Sequence, residues 1–362
     1  MRRLKVLLTA VSGPGGVGIA NALKSHPFAD ITIIGGRVEA EPDPASMLFC
    51  SQTVKIPYAK DPLFIDKMLD ICAENDIDIL LPAFSDESVR LSEKENLEKF
   101  EKIGTKVLVP NHQNVIDCHY KDRLDSKISQ SFPEYLISYE MADDMAELET
   151  AAYKLGYPER MVCLKPAVCN GGSRGFAVLD MNYDPVKNFF YEKSSNTFTL
   201  EEFMLKFKNC SSIPRLIVME YIDMPEYGAD ILAKNGRVIS CVLREKLPPM
   251  LANMNMKIKL VQNEVMNNMV NDISGALNLT GLFNMDLFYR KGIAKLIEIN
   301  PRQGAYIGSV VGRCNLLAAA IDMLTGDFKA ISGYENTAKD ITAVRYIEEF
   351  AIWDGKTVKY KK

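Results

Sequence analysis

Residues 281–301, GLFNMDLFYRKGIAKLIEINP, carry an acidic residue inside an apolar run and two more oxygen-bearing residues in the run that returns. Both runs read as strands, and Arg290-Lys291-Gly292 between them marks a hairpin turn. Side chains two apart along a strand share a face, so Glu298 and Asn300 point one way and Ile297 and Ile299 the other. Pairing through the turn at Gly292 brings Asp286 opposite Glu298 or close to it. Three oxygen-bearing side chains then converge at one end of a sheet face that is otherwise apolar. A chain holding this hairpin needs an antiparallel sheet in its second half.

Other segments fit that sheet. LIVMEYI (216–222) and ADILAKNGRVISCVL (229–243) read as strands, and Asn235-Gly236 is a hairpin turn because both residues tolerate positive φ. MVCLKPAV (161–168), a Gly-rich turn at 170–175 and FAVLD (176–180) give a further antiparallel pair. Residues 111–160 read as polar and mostly helical, 181–212 as irregular or helical, and 308–324 as a helix of small residues.

The first 110 residues have another rhythm. LKVLLTAVS (4–12), ITIIGG (31–36), IDILLPA (77–83) and KVLVP (106–110) read as buried strands. Helical stretches fall between them at 19–24, 62–75 and 86–102. Strands alternating with helices imply a parallel α/β sheet. The fold class is therefore α/β followed by α+β. At 362 residues the chain is too long for one core, and it divides into domains at 1–112, 113–222 and 223–362.

Composition excludes several partners. A net charge of −4 leaves no basic footprint for nucleic acid, so small-molecule substrates are expected. No apolar stretch is long enough to span a bilayer. Eight cysteines without a CxxC pair point to a reduced cytoplasm. The basic Met1-Arg2-Arg3 leads into a short strand and not a signal peptide. An apolar surface on the first domain leaves room for a homodimer.

Four constellations carry chemistry. Asp286, Glu298 and Asn300 together are costly to bury unless cations neutralise them. Hard oxygen ligands with open positions suit Mg²⁺ on nucleotide phosphates, with Mn²⁺ as a substitute, and Arg302 two residues on can reach a transferring phosphoryl group. The plain alternative is the polar face of an amphipathic strand. Lys165, on a buried strand, needs an anionic partner, and the turn Asn170-Gly171-Gly172-Ser173-Arg174-Gly175 offers backbone N–H groups to phosphate oxygens. The strand ending at Glu220-Tyr221-Ile222 could read an adenine edge, with Glu226 and Asp230 holding a ribose or serving structure. Finally, Gly13-x-Gly15-x-x-Gly18 follows a strand and opens a helix, as a dinucleotide fingerprint does. Gly35, Gly36 and Arg37 stand where its acidic residue belongs, and a tight strand-to-helix turn explains the glycines as well.

In this order the features resemble the ATP-grasp superfamily, in particular the branch of the carbamoyl-phosphate synthase large subunit and biotin carboxylase. The resemblance covers nearly the whole chain and implies a Rossmann-like N-terminal domain followed by a two-lobed grasp. It implies that Arg123, in the pair Asp122-Arg123 beside Lys121, contacts nucleotide phosphates. Lys165 is implied at the α-phosphate, and Gly171, Gly172 and Ser173 in the loop closing over the phosphates. Glu220, Tyr221 and Ile222 are implied at the adenine, Glu226 at the ribose, and Asp286, Glu298 and Asn300 at magnesium. Arg302 would stabilise an acyl phosphate or its tetrahedral successor. Gln303-Gly304-Ala305-Tyr306 depart from the family's usual Ser-Gly, and the bicarbonate and biotin signatures of biotin carboxylase are not evident.

The implied activity is a carboxylate–amine ligase: ATP phosphorylates a carboxylate, and an amine displaces the phosphate. Residues 244–259, REKLPPMLANMNMKIK, read as a loop over the acceptor pocket, with Arg244 and Lys246 as candidates for a substrate carboxylate. Phe84-Ser85-Asp86-Glu87, at a strand's C-terminal end, is a candidate for amino-group recognition. His26, His112 and His119 show no metal spacing. The competing readings are an NAD(P)-binding oxidoreductase, resting on residues 13–18, and a noncatalytic nucleotide-binding subunit.

Overall fold

The computed structural model describes residues 1–13, 15–39, 45–168, 175–191, 196–251, 254–304, 315–328, 341–346, 349–353 and 356–359. Val6, Leu7 and Leu8 are wholly buried, on both faces of their strand, as a parallel sheet covered by helices on either side demands. This first sheet holds β1 (Arg2–Leu8), β2 (Ala29–Arg37), β3 (Gln52–Lys55), β4 (Ile79–Leu81) and β5 (Lys106–Val107), in the order β3-β2-β1-β4-β5 and all parallel. The crossovers carry α1 (Gly16–Lys24), α2 (Phe64–Glu74), α3 (Ser85–Leu91) and α4 (Lys94–Lys102). The single helix expected over 86–102 is thus two, parted where Glu93 turns extended (φ −60°, ψ 133°). Winding reverses between β1 and β4, so the crevice at their C-terminal ends is where an open sheet receives ligands.

Two helices, α5 (His112–His119) and α6 (Lys121–Ser129), lead out of this domain. A second sheet follows, built from β6 (Tyr139–Ala142), β7 (Val162–Pro166), β8 (Ala177–Leu179), β9 (Thr197–Phe198) and β10 (Leu216–Glu220), in the order β6-β10-β7-β8-β9. The helices α7 (Met145–Lys154), α8 (Pro185–Phe190) and α9 (Leu200–Phe207) lie between its strands. Leu148, Leu164, Val218 and Phe203 form its core with α7 and α9. Sequence pattern alone missed the short strands β6 and β9. Each gains its backbone bonds from a neighbour remote in sequence, β6 from β10 and β9 from β8.

The third sheet is antiparallel and runs β15-β14-β11-β12-β13-β16. Its strands are β11 (Glu226–Lys234), β12 (Arg237–Leu251), β13 (Met254–Val261), β14 (Gly281–Arg290), β15 (Ile293–Asn300) and β16 (Thr342–Val344), with α10 (Glu264–Ala276) and α11 (Leu316–Thr325) between them. The two expected hairpins form, with Asn235, Gly236, Lys291 and Gly292 all at positive φ. The acceptor loop expected over 244–259 is instead the β12–β13 hairpin, with a register shift between Leu247 and Met250 at the two prolines. Proline cannot donate to the ladder, so it is tolerated in a strand only at such an irregularity or an edge. A small separate hairpin joins β17 (Phe350–Trp353) to β18 (Lys356–Lys359).

One face of the third sheet buries Phe283, Met285, Leu296 and Ile299 against α10, together with Cys118, Leu124 and Ile128 of α5 and α6. Helix α11 belongs to a different core. Its Leu316, Leu317 and Ile321 pack with Val6, Leu8 and Leu23 of the first domain and with Leu232, Ile258 and Leu282 of the third sheet. Its Asp322 accepts from the Arg2 guanidinium at 2.8 Å. No described helix is long and apolar enough to cross a membrane.

Candidate active site

The ladder aligns polar residues in rows across the third sheet. Glu298 on β15 faces Asp286 on β14, Asp286 faces Gly228 on β11, and Gly228 faces Arg244 on β12. The next row is Asn300, Asn284 and Asp230. A β-bulge sets this alignment. Asp286 pairs with Glu298 but Leu287 pairs with Leu296, so Ile297 is the extra residue. The bulge lets Leu296 and Ile299, three apart, both enter the core, while Glu298 and Asn300 stay on the opposite face. Ile297, expected beside Ile299, is therefore half-buried and outside that core.

Lysines meet the acids. Lys246 Nζ lies 2.9 Å from Asp286 Oδ1 and also pairs with Glu226. Lys121 Nζ lies 3.0 Å from Glu298 Oε2, and Asn300 donates its amide nitrogen to Glu298 Oε1 at 3.1 Å. Lys165 Nζ donates to the carbonyl of Ile297 at 3.2 Å. These groups perturb one another strongly. Burial pushes the Glu298 carboxyl up, but Lys121 and Lys165 outweigh it and hold its pKa down at about 2. Burial, reinforced by Lys121, lowers Lys165 to about 8. Asp125, one helical turn beyond Lys121, is pushed up by burial to about 6 against the pull of both lysines. Burial would lower Lys246, yet Asp286 and Glu226 raise it. Four acids and three lysines thus sit within one electrostatic network, where titratable groups of functional sites concentrate.

Of the residues singled out from sequence, Asp286, Glu298, Asn300, Lys165 and Glu226 meet here. Arg302 follows β15, donating from its backbone to Asn300 O at 2.8 Å and from Nη1 to Gln303 O at 2.9 Å. Glu220 ends β10, with Arg160 at 3.4 Å from its carboxylate. The Tyr221 N–H is committed to Met161 O at 3.3 Å. Ile222 packs beside Ile137, Cys163, Ala167, Ile217 and Met219, and Phe288 of the third sheet completes this apolar bed between the two sheets. Gly171, Gly172 and Ser173 lie outside the described residues.

Arg123 stands apart from the network. It is exposed, with its guanidinium 5.3 Å from the Tyr120 ring centroid. Lys121, two residues earlier and 8% exposed, reaches Glu298 instead. Arg244, expected to meet a substrate, is 3% exposed and paired with buried Asp230. Lys246 faces Asp286 and Glu226. In Phe84–Glu87, the Glu87 carboxylate accepts from Thr9 Oγ1 and the Phe84 backbone, and burial raises its pKa to about 7. In the glycine turn it is Gly16, between the fingerprint positions, that has a packing reason: a Cβ there would lie 1.9 Å from the Val11 carbonyl oxygen. His26 lies 3.3 Å from Asp322, and His112 lies 2.9 Å from Ser92.

Sequence reasoning noted Lys121 only as the neighbour of Arg123 and Gln303 only as a departure from the family's Ser-Gly, and it missed Asp125 and Asn284. Lys121 and Asp125 had a signal, since i and i+4 share a helix face. Asn284 had none, because only the completed sheet shows what it touches.

The donors suit magnesium. Asp286 and Glu298 face each other, and Asn300 keeps its amide oxygen as the end not engaged with Glu298. Magnesium is usually held by one or two carboxylates plus substrate phosphates rather than by a closed protein cage. Among the described residues no group of three or more His, Cys, Asp or Glu side chains forms such a cage.

Comparisons with known proteins agree with the fold. Residues 212–350 match the family model for ATP-grasp in the biosynthetic pathway with Ter operon, and residues 26–108 match the PylC-like N-terminal domain. No curated protein matches the sequence. The fold resembles the ADP complex of PurK, N5-carboxyaminoimidazole ribonucleotide synthetase, at 14% identity, over 93% of this chain and 80% of that one, with a TM-score of 0.64. An L-amino acid ligase from Bacillus licheniformis aligns at 17% identity over 91% of this chain and 78% of its own, with a TM-score of 0.57. The biotin carboxylase domain of Hydrogenobacter thermophilus 2-oxoglutarate carboxylase, solved with MgADP, ADP and bicarbonate, aligns at 14% identity. It covers 94% of this chain and 72% of that one, with a TM-score of 0.57. At these identities the likeness is one of fold.

Proposed function

From a chain that carries an ATP-grasp domain behind a PylC-like N-terminal domain, we propose an ATP- and magnesium-dependent ligase that joins a carboxylate to an amine. The observation that carries this reading is the row of Glu298 and Asp286, facing each other across β15 and β14 with Asn300 beside them and lysines around them. Such a row matches a polyphosphate with its cation: acids for the metal, ammonium groups for the phosphate oxygens.

In the proposed reaction an oxygen of the substrate carboxylate attacks the γ-phosphorus of ATP. The bond to the β,γ-bridging oxygen breaks and ADP leaves. The amine nitrogen then attacks the carbonyl carbon of the acyl phosphate, the C–O bond to phosphate breaks, and the nitrogen loses a proton. Magnesium, when bound, would neutralise charge on the β- and γ-phosphates. Asp286, Glu298 and Asn300 would hold it. Lys165 and Lys121 supply fixed positive charge beside them, in a buried setting where such charge acts strongly. Arg302 would touch the transferring phosphoryl group or the oxyanion of the second step. The apolar bed of Ile217, Met219, Ile222 and Phe288 would take the adenine, and Glu226 the ribose. The Gly171–Ser173 turn is assigned to the phosphates from sequence alone.

The test measures ADP release with Mg-ATP and pooled amino acids, beside titrations with a fluorescent ATP analogue and with NADH. Magnesium-dependent analogue binding and amine-stimulated ADP release are expected. Glu298→Gln should retain the fold and lose turnover at least about a hundredfold. NADH binding without ATP binding, or Glu298→Gln with unchanged ADP production, would overturn the assignment. Analogue binding without turnover on any pooled substrate would favour a noncatalytic nucleotide-binding subunit.

A further inference from the structure

We propose that the buried Asp230–Arg244 pair is a positioning device that fixes the turn carrying Arg302, and is not a substrate-binding pair. The proposal rests on the ligase reading. Asp230 on β11 is 1% exposed and Arg244 on β12 is 3% exposed. The Asp230 carboxylate accepts from Arg244 Nη1, from Asn284 Nδ2 at 3.4 Å, and from the backbone N–H of Gly304. One carboxylate therefore ties two strands of the sheet to the segment that leaves β15.

That segment has no room for any other residue at its key position. A Cβ on Gly304 would lie 2.2 Å from Asp230 Oδ1 and 2.9 Å from Arg244 Nη2. The guanidinium is packed as tightly against Gly228, where a Cβ would also meet Nη2 at 2.9 Å. From the other side, buried Gln303 donates to Pro82 O of the first domain at 3.5 Å. Residue 303 is thus held between Pro82 and the Asp230-bound Gly304, and its carbonyl is the one that receives Arg302 Nη1. A buried ion pair gives little net stability over apolar groups of the same volume. What this one provides is an acceptor with a fixed place. Misplacing a catalytic group by about 1 Å can cost about a hundredfold in rate.

The test uses the full chain with three variants: Gly304→Ala, Asp230→Asn and the double. Each is assayed for ADP release with Mg-ATP and pooled amino acids, for binding of Mg²⁺ with a nonhydrolysable ATP analogue by calorimetry, and for folding by circular dichroism. Expected are analogue affinities within about threefold of the parent and kcat lower by about a hundredfold in each single variant. The double variant should be no worse than the poorer single, because the two residues act as one unit. Gly304→Ala keeps both charged residues while forcing the segment away from them, and it decides the matter should Asp230→Asn fail to fold. A folded Gly304→Ala protein with parental kcat, or singles whose losses multiply in the double, would overturn the proposal. A parent chain that neither binds nor hydrolyses ATP overturns the ligase reading and this proposal with it. Parental turnover that survives Gly304→Ala removes only the positioning role.

Discussion

Lys165 donates its ammonium to the carbonyl oxygen of Ile297 at 3.2 Å, the residue that the bulge leaves as the extra one between β14 and β15. The bulge turns Glu298 toward Asp286, and the residue it displaces becomes the anchor of the lysine beside them. A cation held this way is aimed but weakly neutralised, since a carbonyl carries only a partial charge.

A pH profile should report it. Burial, then the like charge of Lys121, lowers the Lys165 pKa to about 8 against the opposing pull of Glu298 and Asp125. The cationic form is the one that attracts phosphate, so kcat/KM for ATP should fall as pH rises through about 8 in the free enzyme. The kcat limb should lie higher, because bound phosphates favour the ammonium. Lys165→Arg should carry the kcat/KM limb out of this range, and an unmoved limb would show that another group titrates. Stability has the opposite sign. Between about 8 and the ordinary lysine value the folded state binds fewer protons at Lys165 than the unfolded chain, so this residue's contribution grows as pH rises across that window.

Lys121 and Arg123 should separate cleanly. Lys121 is buried against Glu298, whereas Arg123 is exposed over Tyr120. Lys121→Ala leaves the Glu298 carboxylate without its nearest cation and should lower kcat/KM for ATP by about a hundredfold or more. Arg123→Ala should change it less than about threefold, the scale of an exposed cation–π contact. Equal losses in steady-state ADP release would contradict the distinction.

Phe288 reaches from the third sheet into the apolar bed under β7 and β10. Phe288→Ala should raise KM for ATP about tenfold, near 1.4 kcal/mol, with kcat little changed, as loss of uniform binding does. A fall in kcat at constant KM would mean that the residue serves the chemical step instead.

Gly281 opens β14 at φ +123°, and a Cβ there would lie 2.8 Å from Pro110 Cα. Gly281→Ala should cost about 2 kcal/mol or more in a urea melt, from strain and contact together. Gly292→Ala shares a positive φ (+87°) but has nothing within 4 Å, so its cost should be smaller, about 1 kcal/mol. Equal shifts would show that the approach to Pro110 is relaxed at no expense.

The hairpin of β14 and β15 was legible because two strands and their turn are local in sequence. Period-two alternation gave the shared face of Glu298 and Asn300, and the turn residues brought Asp286 to within one residue of Glu298; the bulge sets the pairing itself. The bulge was not legible, since nothing in LIEIN marks which residue lacks a partner. Prolines 248 and 249 suggested a loop, yet a bulged hairpin tolerates them. Arg244 and Lys246 read as charges for a substrate carboxylate until the sheet brought Asp230, Glu226 and Asp286 against them. Lys121 beside Arg123 offered two cations to one role, and helix phase, visible only once α6 packs on the third sheet, separates them.

Helix α11 has one hydrophobic surface and two owners. Leu316, Leu317 and Ile321 belong to a core shared by the first domain and the third sheet, α11 packing on α1, β11 and β14, and Asp322 is bonded to Arg2. The amino-terminal domain is therefore no detachable module. Cutting it away near residue 110 would strip the cover from a helix near the opposite end of the chain and from Leu232, Ile258 and Leu282 beneath it. Chimeras that exchange this domain between ligases would have to carry α11 as its companion.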